Sequence, residues 1–165
     1  MQDWQEQRAW FDKEKEEVAP FFFDAHNVDA YRFIVSGEHK WHKPQGEVHG
    51  INYLASSTLQ GAEFTARLGA RVLDSRIYRR FGIGYSGCRF EPTFGYRIWL
   101  NEDFITIIFC LSCQELIILQ NSLDVSERPF GSYVGRYNLA GHFNRDTQEE
   151  FAKLYYEVFP GIPRS

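Results

Sequence analysis

The stretch Tyr96 to Gln120 reads Tyr-Arg-Ile-Trp-Leu-Asn-Glu-Asp-Phe-Ile-Thr-Ile-Ile-Phe-Cys-Leu-Ser-Cys-Gln-Glu-Leu-Ile-Ile-Leu-Gln. Three runs within it, Tyr96 to Leu100, Phe104 to Phe109 and Leu116 to Gln120, are β-branched and aromatic. They are separated by Asn101-Glu102-Asp103 and by the segment Cys110 to Glu115. Side chains of this kind favour the pleated, half-buried surface of a sheet, and short polar connections let consecutive strands fold back on one another. The stretch therefore predicts a three-stranded antiparallel meander. Its apolar heart, Phe104 to Leu119, carries Gln114 and Glu115 and is shorter than the roughly 20 apolar residues of a membrane span, so it reads as core.

Helical patterns flank this meander. Phe151, Leu154, Tyr155 and Val158 follow an i, i+3, i+4, i+7 spacing, with Thr147 and Glu150 in capping-box register and Pro160 beyond the end. Phe64, Leu68 and Val72, with Leu59 at the margin, mark a second helix that Ser57 or Thr58 can cap. Residues 1–18 read as a further helix, peripheral because few aromatics anchor it, and ended by Pro20. Strand composition recurs at Tyr31 to Ser36 and Gly50 to Ala55, and Asn121 to Asn144 reads as a long Gly-, Ser-, Asn- and Arg-rich connection. Strands in a run with helices at the ends give the α+β class: an antiparallel meander sheet packed by helices on one face, a single domain over residues 1–165.

Composition narrows function. Hydrophobic residues make up 44% and charged residues 24%, a globular balance. Eighteen Lys and Arg against 22 Asp and Glu leave a net charge of -4, with no basic excess to neutralise phosphates, so nucleic acid is not an expected partner. Neither is a membrane. The acidic segment Met1 to Pro20 lacks the apolar centre of a secretory signal, which makes the cytoplasm the expected location. Fifteen Phe, 9 Tyr and 4 Trp against one Met point to a core of large rigid side chains.

Chemistry concentrates at the cysteines. For a cytoplasmic chain with three of them, the expectation is free thiols and no disulfide framework. Cys88 precedes the first meander strand, and the second strand returns to Cys110 and Cys113, so antiparallel geometry brings all three to one end of the sheet. Three readings of that cluster are open. Cys88, Cys110 and Cys113 with a fourth ligand, His142 in first place and His42 or His49 behind it, form a Cys3His set for zinc. A thiol-dependent enzyme or sensor is the second, with Cys88, His142 and Asn144 supplying the residue types of a nucleophilic centre. In the third, the sulfurs are small buried hydrophobes. The His39, His42 and His49 patch lacks His-Glu-x-x-His spacing, and Gly82 to Gly87 lacks the ending of a phosphate loop.

Cys88, Phe90, Pro92, Gly95-Tyr96-Arg97, the turn from Cys110 to Cys113 and a helix closing in Val158-Phe159-Pro160 together resemble a group of small uncharacterised bacterial proteins. That group shares a Cys-x-x-x-Pro-x-x-Gly/Ala-x-Arg segment, a strand ending in Cys-Phe-x-Cys and a terminal helix closing in Phe-Pro. The likeness spans residues 50–160. Leu111 stands where the group has Phe, and Thr93-Phe94 where Arg-His is frequent, so no role for that His carries over. The resemblance implies a shared fold and supplies no activity.

Alternation places Arg97 and Trp99 on one face of their strand and Tyr96, Ile98 and Leu100 on the other. Arg97 either marks a binding face or stacks on Trp99 or pairs with an acidic group. The long connection displays Tyr133, Arg136 and Tyr137, side-chain types that often carry interface energy. With no complete catalytic motif, the expected function is a non-enzymatic protein-binding module, an immunity-type inhibitor or adaptor, contacting a protein partner through Arg97, Tyr133, Arg136 and Tyr137. The alternative is a zinc-binding or thiol-dependent protein built on the cysteines.

Overall fold

The computed structural model describes residues 4–25, 27–35, 41–60, 62–82, 88–120 and 139–161. Along the chain run α1 (Trp4–Phe23), β1 (Asn27–Phe33), β2 (Gly46–Val48), β3 (Ile51–Gln60), α2 (Ala62–Val72), a 3-10 turn (Ser75–Ile77), β4 (Tyr78–Phe81), β5 (Phe94–Leu100), β6 (Asp103–Cys110), β7 (Glu115–Gln120), β8 (Leu139–Phe143) and α3 (Arg145–Val158). The strands form one open sheet of order β2-β3-β1-β5-β6-β7-β8-β4, every neighbouring pair antiparallel. With the helices packed on the sheet, the fold is α+β, and the meander forms its centre.

The β5–β6 connection turns at Asn101, whose φ of 57° lies in the left-handed region that Asn tolerates. The register that follows pairs Phe94 with Phe109 and Ile98 with Ile105, and then Phe109 with Leu116. Period-two alternation sends Phe94, Tyr96, Ile98, Ile105, Ile107, Phe109, Leu116 and Ile118 to one face, where they join Phe11, Val18 and Phe22 of α1, Leu68 and Val72 of α2 and Phe151, Leu154 and Tyr155 of α3 in a single core. A second cluster, Tyr31, Phe33, Val48, Ile51, Ile108, Ile117, Leu119 and Ala140, occupies the opposite face. Both faces of β6 and β7 are thus buried. Their sequences are continuous apolar runs for that reason.

Several elements differ from expectation. Far from peripheral, α1 buries Phe11, Val18, Phe21 and Phe22. It also passes through Pro20, since the Asp24 N–H donates to the Pro20 carbonyl at 2.9 Å. A proline inside a helix costs about 3 kcal/mol. Burying each of Val18, Phe21 and Phe22 returns about 1.5–3 kcal/mol, so packing outweighs the lost bond. Gly69 of α2 admits this contact, because a Cβ there would stand 2.5 Å from Phe22 Cβ.

Ser57, Thr58 and Leu59 do not cap or begin a helix. They pair with Ala30, Asp29 and Val28 as the end of β3. The ladder satisfies their backbone groups, so α2 starts only at Ala62. At α3 the cap is Asn144 rather than Thr147: the Thr147 N–H donates to Asn144 Oδ1 at 2.9 Å. Phe151, Leu154 and Tyr155 are buried as expected, whereas Val158 is only partly so. Finally, Leu139 to Phe143, expected inside a long connection, is a strand. Gly141 leaves room there for the Tyr78 ring of β4, whose hydroxyl donates to the Val72 carbonyl at 2.6 Å.

Candidate functional site: the cysteine corner and the Arg97 face

One end of the meander collects the cysteines. β6 ends at Cys110, a turn through Gln114 (φ 57°) follows, and β7 begins at Glu115, which pairs with Cys110. β8 then sets His142 opposite Glu115. The segment leading into β5 lies across the turn: the Thr93 N–H donates to Phe109 O at 2.7 Å, the Leu111 N–H to Thr93 Oγ1 at 3.2 Å and the Glu91 N–H to Cys110 Sγ at 3.3 Å. Gln148 of α3 closes the far side, its amide donating to Leu111 O at 2.8 Å and its carbonyl accepting from Gln114 Nε2 at 2.8 Å. The strand directions bring the cysteine turn and His142 to this end, and the segment before β5 and α3 close around them.

The cysteines are not three free thiols. Cys88 and Cys113 form a disulfide with Cα atoms 5.5 Å apart, inside the window that bridging requires, and Cys110 is left as a buried thiol with its Sγ 3.3 Å from Ser112 Oγ. The expectation of reduced cysteines came from an assumed compartment, whereas the antiparallel return dictates the proximity. Bridged sulfurs are neither thiolate ligands nor nucleophiles. Cys88 therefore does not attack a substrate in this form, and Asn144 is occupied in capping α3. Among the described residues, no group of three or more His, Cys, Asp or Glu is placed to hold a metal ion.

His142, in this corner, has a shifted pKa. Burial holds its pKa below the usual 6.5, Arg79 and Arg80 push it the same way, and its bond to the Cys113 backbone acts in the opposite sense. In the window below pH 6.5 the unfolded chain takes up a proton that the folded chain resists. The stability contributed by neutral His142 is thus complete above that pH and is lost as the pH falls. Denaturant midpoints compared at about pH 7.5 and about pH 5.5 should drop less for His142→Gln than for the native chain. An equal drop in both proteins removes His142 from the effect.

A second constellation lies on the sheet face away from the helices. Arg97 and Trp99 share that face, as alternation requires, but Arg97 stacks on Phe104 and not on Trp99. Its Cζ lies 4.3 Å from the Phe104 centroid, and its Nε donates to Thr106 Oγ1 at 3.4 Å. Thr106 Oγ1 also bonds His49 Nε2 at 2.8 Å, with His49 held at φ 51° in the β2–β3 turn. Trp99 packs on Phe104 with centroids 4.7 Å apart and donates from Nε1 to Asp29 Oδ2 at 3.0 Å. The Thr58 hydroxyl donates to the other Asp29 oxygen at 3.1 Å. Next to this network, Tyr31 has its pKa raised by burial first and by Asp29 second, with Arg97 opposing. Sequence reasoning placed Arg97 and Trp99, missed Asp29 and Thr106, and offered His49 to the zinc set, whereas His49 bonds Thr106 on this face. Asp29 did carry a signal, as a lone acid within the alternation of β1.

Tyr133, Arg136 and Tyr137 lie outside the described residues. Comparison with known proteins finds no matching family model, no matching curated protein and no matching solved structure.

Proposed function

We propose that this protein is a non-enzymatic protein-binding module, an inhibitor or adaptor of the immunity type, related to the small bacterial proteins whose Cys-x-x-x-Pro and Cys-x-x-Cys segments it shares. The observation that carries the reading is the Arg97–Trp99–Phe104 cluster. Trp and Arg dominate interface energetics when they are pre-ordered, because little side-chain entropy is lost on binding. Here both are half-buried, packed against the Phe104 ring and hydrogen-bonded on rigid strands. Tyr133, Arg136 and Tyr137 belong to the same proposal as further contacts.

The rival is a zinc-binding or thiol-dependent protein using Cys88, Cys110, Cys113 and His142, favoured by their convergence at one corner. It requires the disulfide to be reduced, as the cytoplasm would keep it. A partner captured by the native chain, identified and then purified, should bind Arg97→Ala and Trp99→Ala at least about tenfold more weakly, because both side chains are of the hot-spot type. The folded state of Arg97→Ala should stay within about 1 kcal/mol of native, as for other partly exposed positions. Undiminished binding by both variants, or stoichiometric zinc in the reduced protein, would reverse the choice.

A further inference from the structure

Resting on that reading of the Arg97 face, we propose that Arg97 is the docking point for a carboxylate side chain, Glu or Asp, presented by the protein partner. Asp29 and Arg97 stand directly opposite each other on β1 and β5. Cross-strand neighbours in that position are within easy reach of an ion pair. No such pair forms. Both Asp29 oxygens accept from uncharged donors, Trp99 Nε1 and Thr58 Oγ1, while the guanidinium lies over Phe104 and spends only Nε, on Thr106. Neither Nη group has an acceptor among the described residues. Elsewhere on the chain arginines do pair: Arg67 with Glu157, Arg71 with Glu150 and Arg76 with Asp74. The Arg97 fork is therefore charged, immobilised and left open beside an acid that is held away from it.

An open, planar fork selects planar, two-oxygen anions, and a carboxylate meets it with two parallel hydrogen bonds. A phosphate dianion fits less well, because the Asp29 carboxylate stands directly opposite Arg97 and repels a second negative charge more than a first. Phe104 and Trp99 form the apolar flank of the contact.

The test pans a random-peptide display library against the immobilised full chain, its Arg97→Gln variant and its Trp99→Ala variant, after circular dichroism has shown both variants folded. Peptides enriched on the native chain should carry Glu or Asp at one shared position. Changing that residue to its amide should weaken binding roughly ten- to a hundred-fold, the scale of charge-assisted hydrogen bonds. Arg97→Gln should cause the same loss, and the two changes together should cost little more than either alone. Peptides that depend on Trp99 but show no acidic preference and ignore Arg97→Gln would overturn the carboxylate contact while leaving this face as an interface. An absence of peptides sensitive to either variant overturns both. Displacement of acidic peptides by inorganic phosphate at concentrations where acetate is inert would assign the fork to phosphate and overturn the proposal as stated.

Discussion

Phe109→Ala is expected to destabilise the protein by about 3–5 kcal/mol, the range for deleting a fully buried phenyl ring. At this chain length that lowers the melting temperature by roughly 10 °C. Phe109 has no exposed surface and stacks on Phe94 with centroids 4.6 Å apart and planes 15° apart. It also meets Phe151 of α3 at 4.9 Å and the edge of Tyr96 at 6.0 Å. Phe94 in turn stacks on Tyr155 at 4.5 Å, so two strands and a helix share one aromatic array. These rings are rigid, and most sit on strands whose spacing the hydrogen-bond ladder holds, so the cavity has little means of collapsing and the upper part of the range applies. Phe23→Ala is the control: its side chain is 51% exposed, and its loss should change stability by less than about 0.5 kcal/mol. Similar denaturation midpoints for the two variants would show that the sheet–α3 seam is not where stability resides.

The same physics explains what the sequence disclosed. The meander was legible because β6 and β7 are buried on both faces and so consist of uninterrupted β-branched and aromatic residues. The last helix was legible from its periodicity. β4 was not, since Tyr-Arg-Arg-Phe places two exposed arginines at an irregular register. Charges of that kind commonly protect a sheet edge from pairing with other chains. β8 was hidden because Leu-Ala-Gly-His-Phe contains a glycine chosen for the Tyr78 ring rather than for strand propensity. Serine and threonine in β3 looked like caps because their local hydrogen-bonding preferences suit helix starts, and only the distant partner β1 overrides them. The candidate sites divide in the same way. Alternation revealed the face of Arg97, but the bond from Trp99 to Asp29 spans 70 positions and depends on the β1–β5 register, which no local pattern encodes.

Loss of the Cys88–Cys113 bond is the other large effect expected. The bond is separated by 25 positions along the chain, and closing such a loop removes conformational freedom from the unfolded state worth about 3.5 kcal/mol in the chain-entropy description. For a domain whose total stability is of order 5–15 kcal/mol, that is a large share. It should appear as a lower guanidinium midpoint in dithiothreitol. Cys88→Ser/Cys113→Ser should show a similarly low midpoint and no further response to reductant. Cys110 provides an internal check, since it is buried and outside the bond. A thiol reagent should find essentially nothing in the native oxidised chain, one thiol after unfolding without reductant, and three after reduction. Three thiols before reduction, or a midpoint indifferent to dithiothreitol, would mean that the corner is held by its hydrogen bonds alone. The segment from Cys88 to Thr93 would then be tied to the turn by the Glu91 and Thr93 backbone amides and the Thr93 hydroxyl. In that case the free-thiol readings of Cys88 and Cys113 would regain their force.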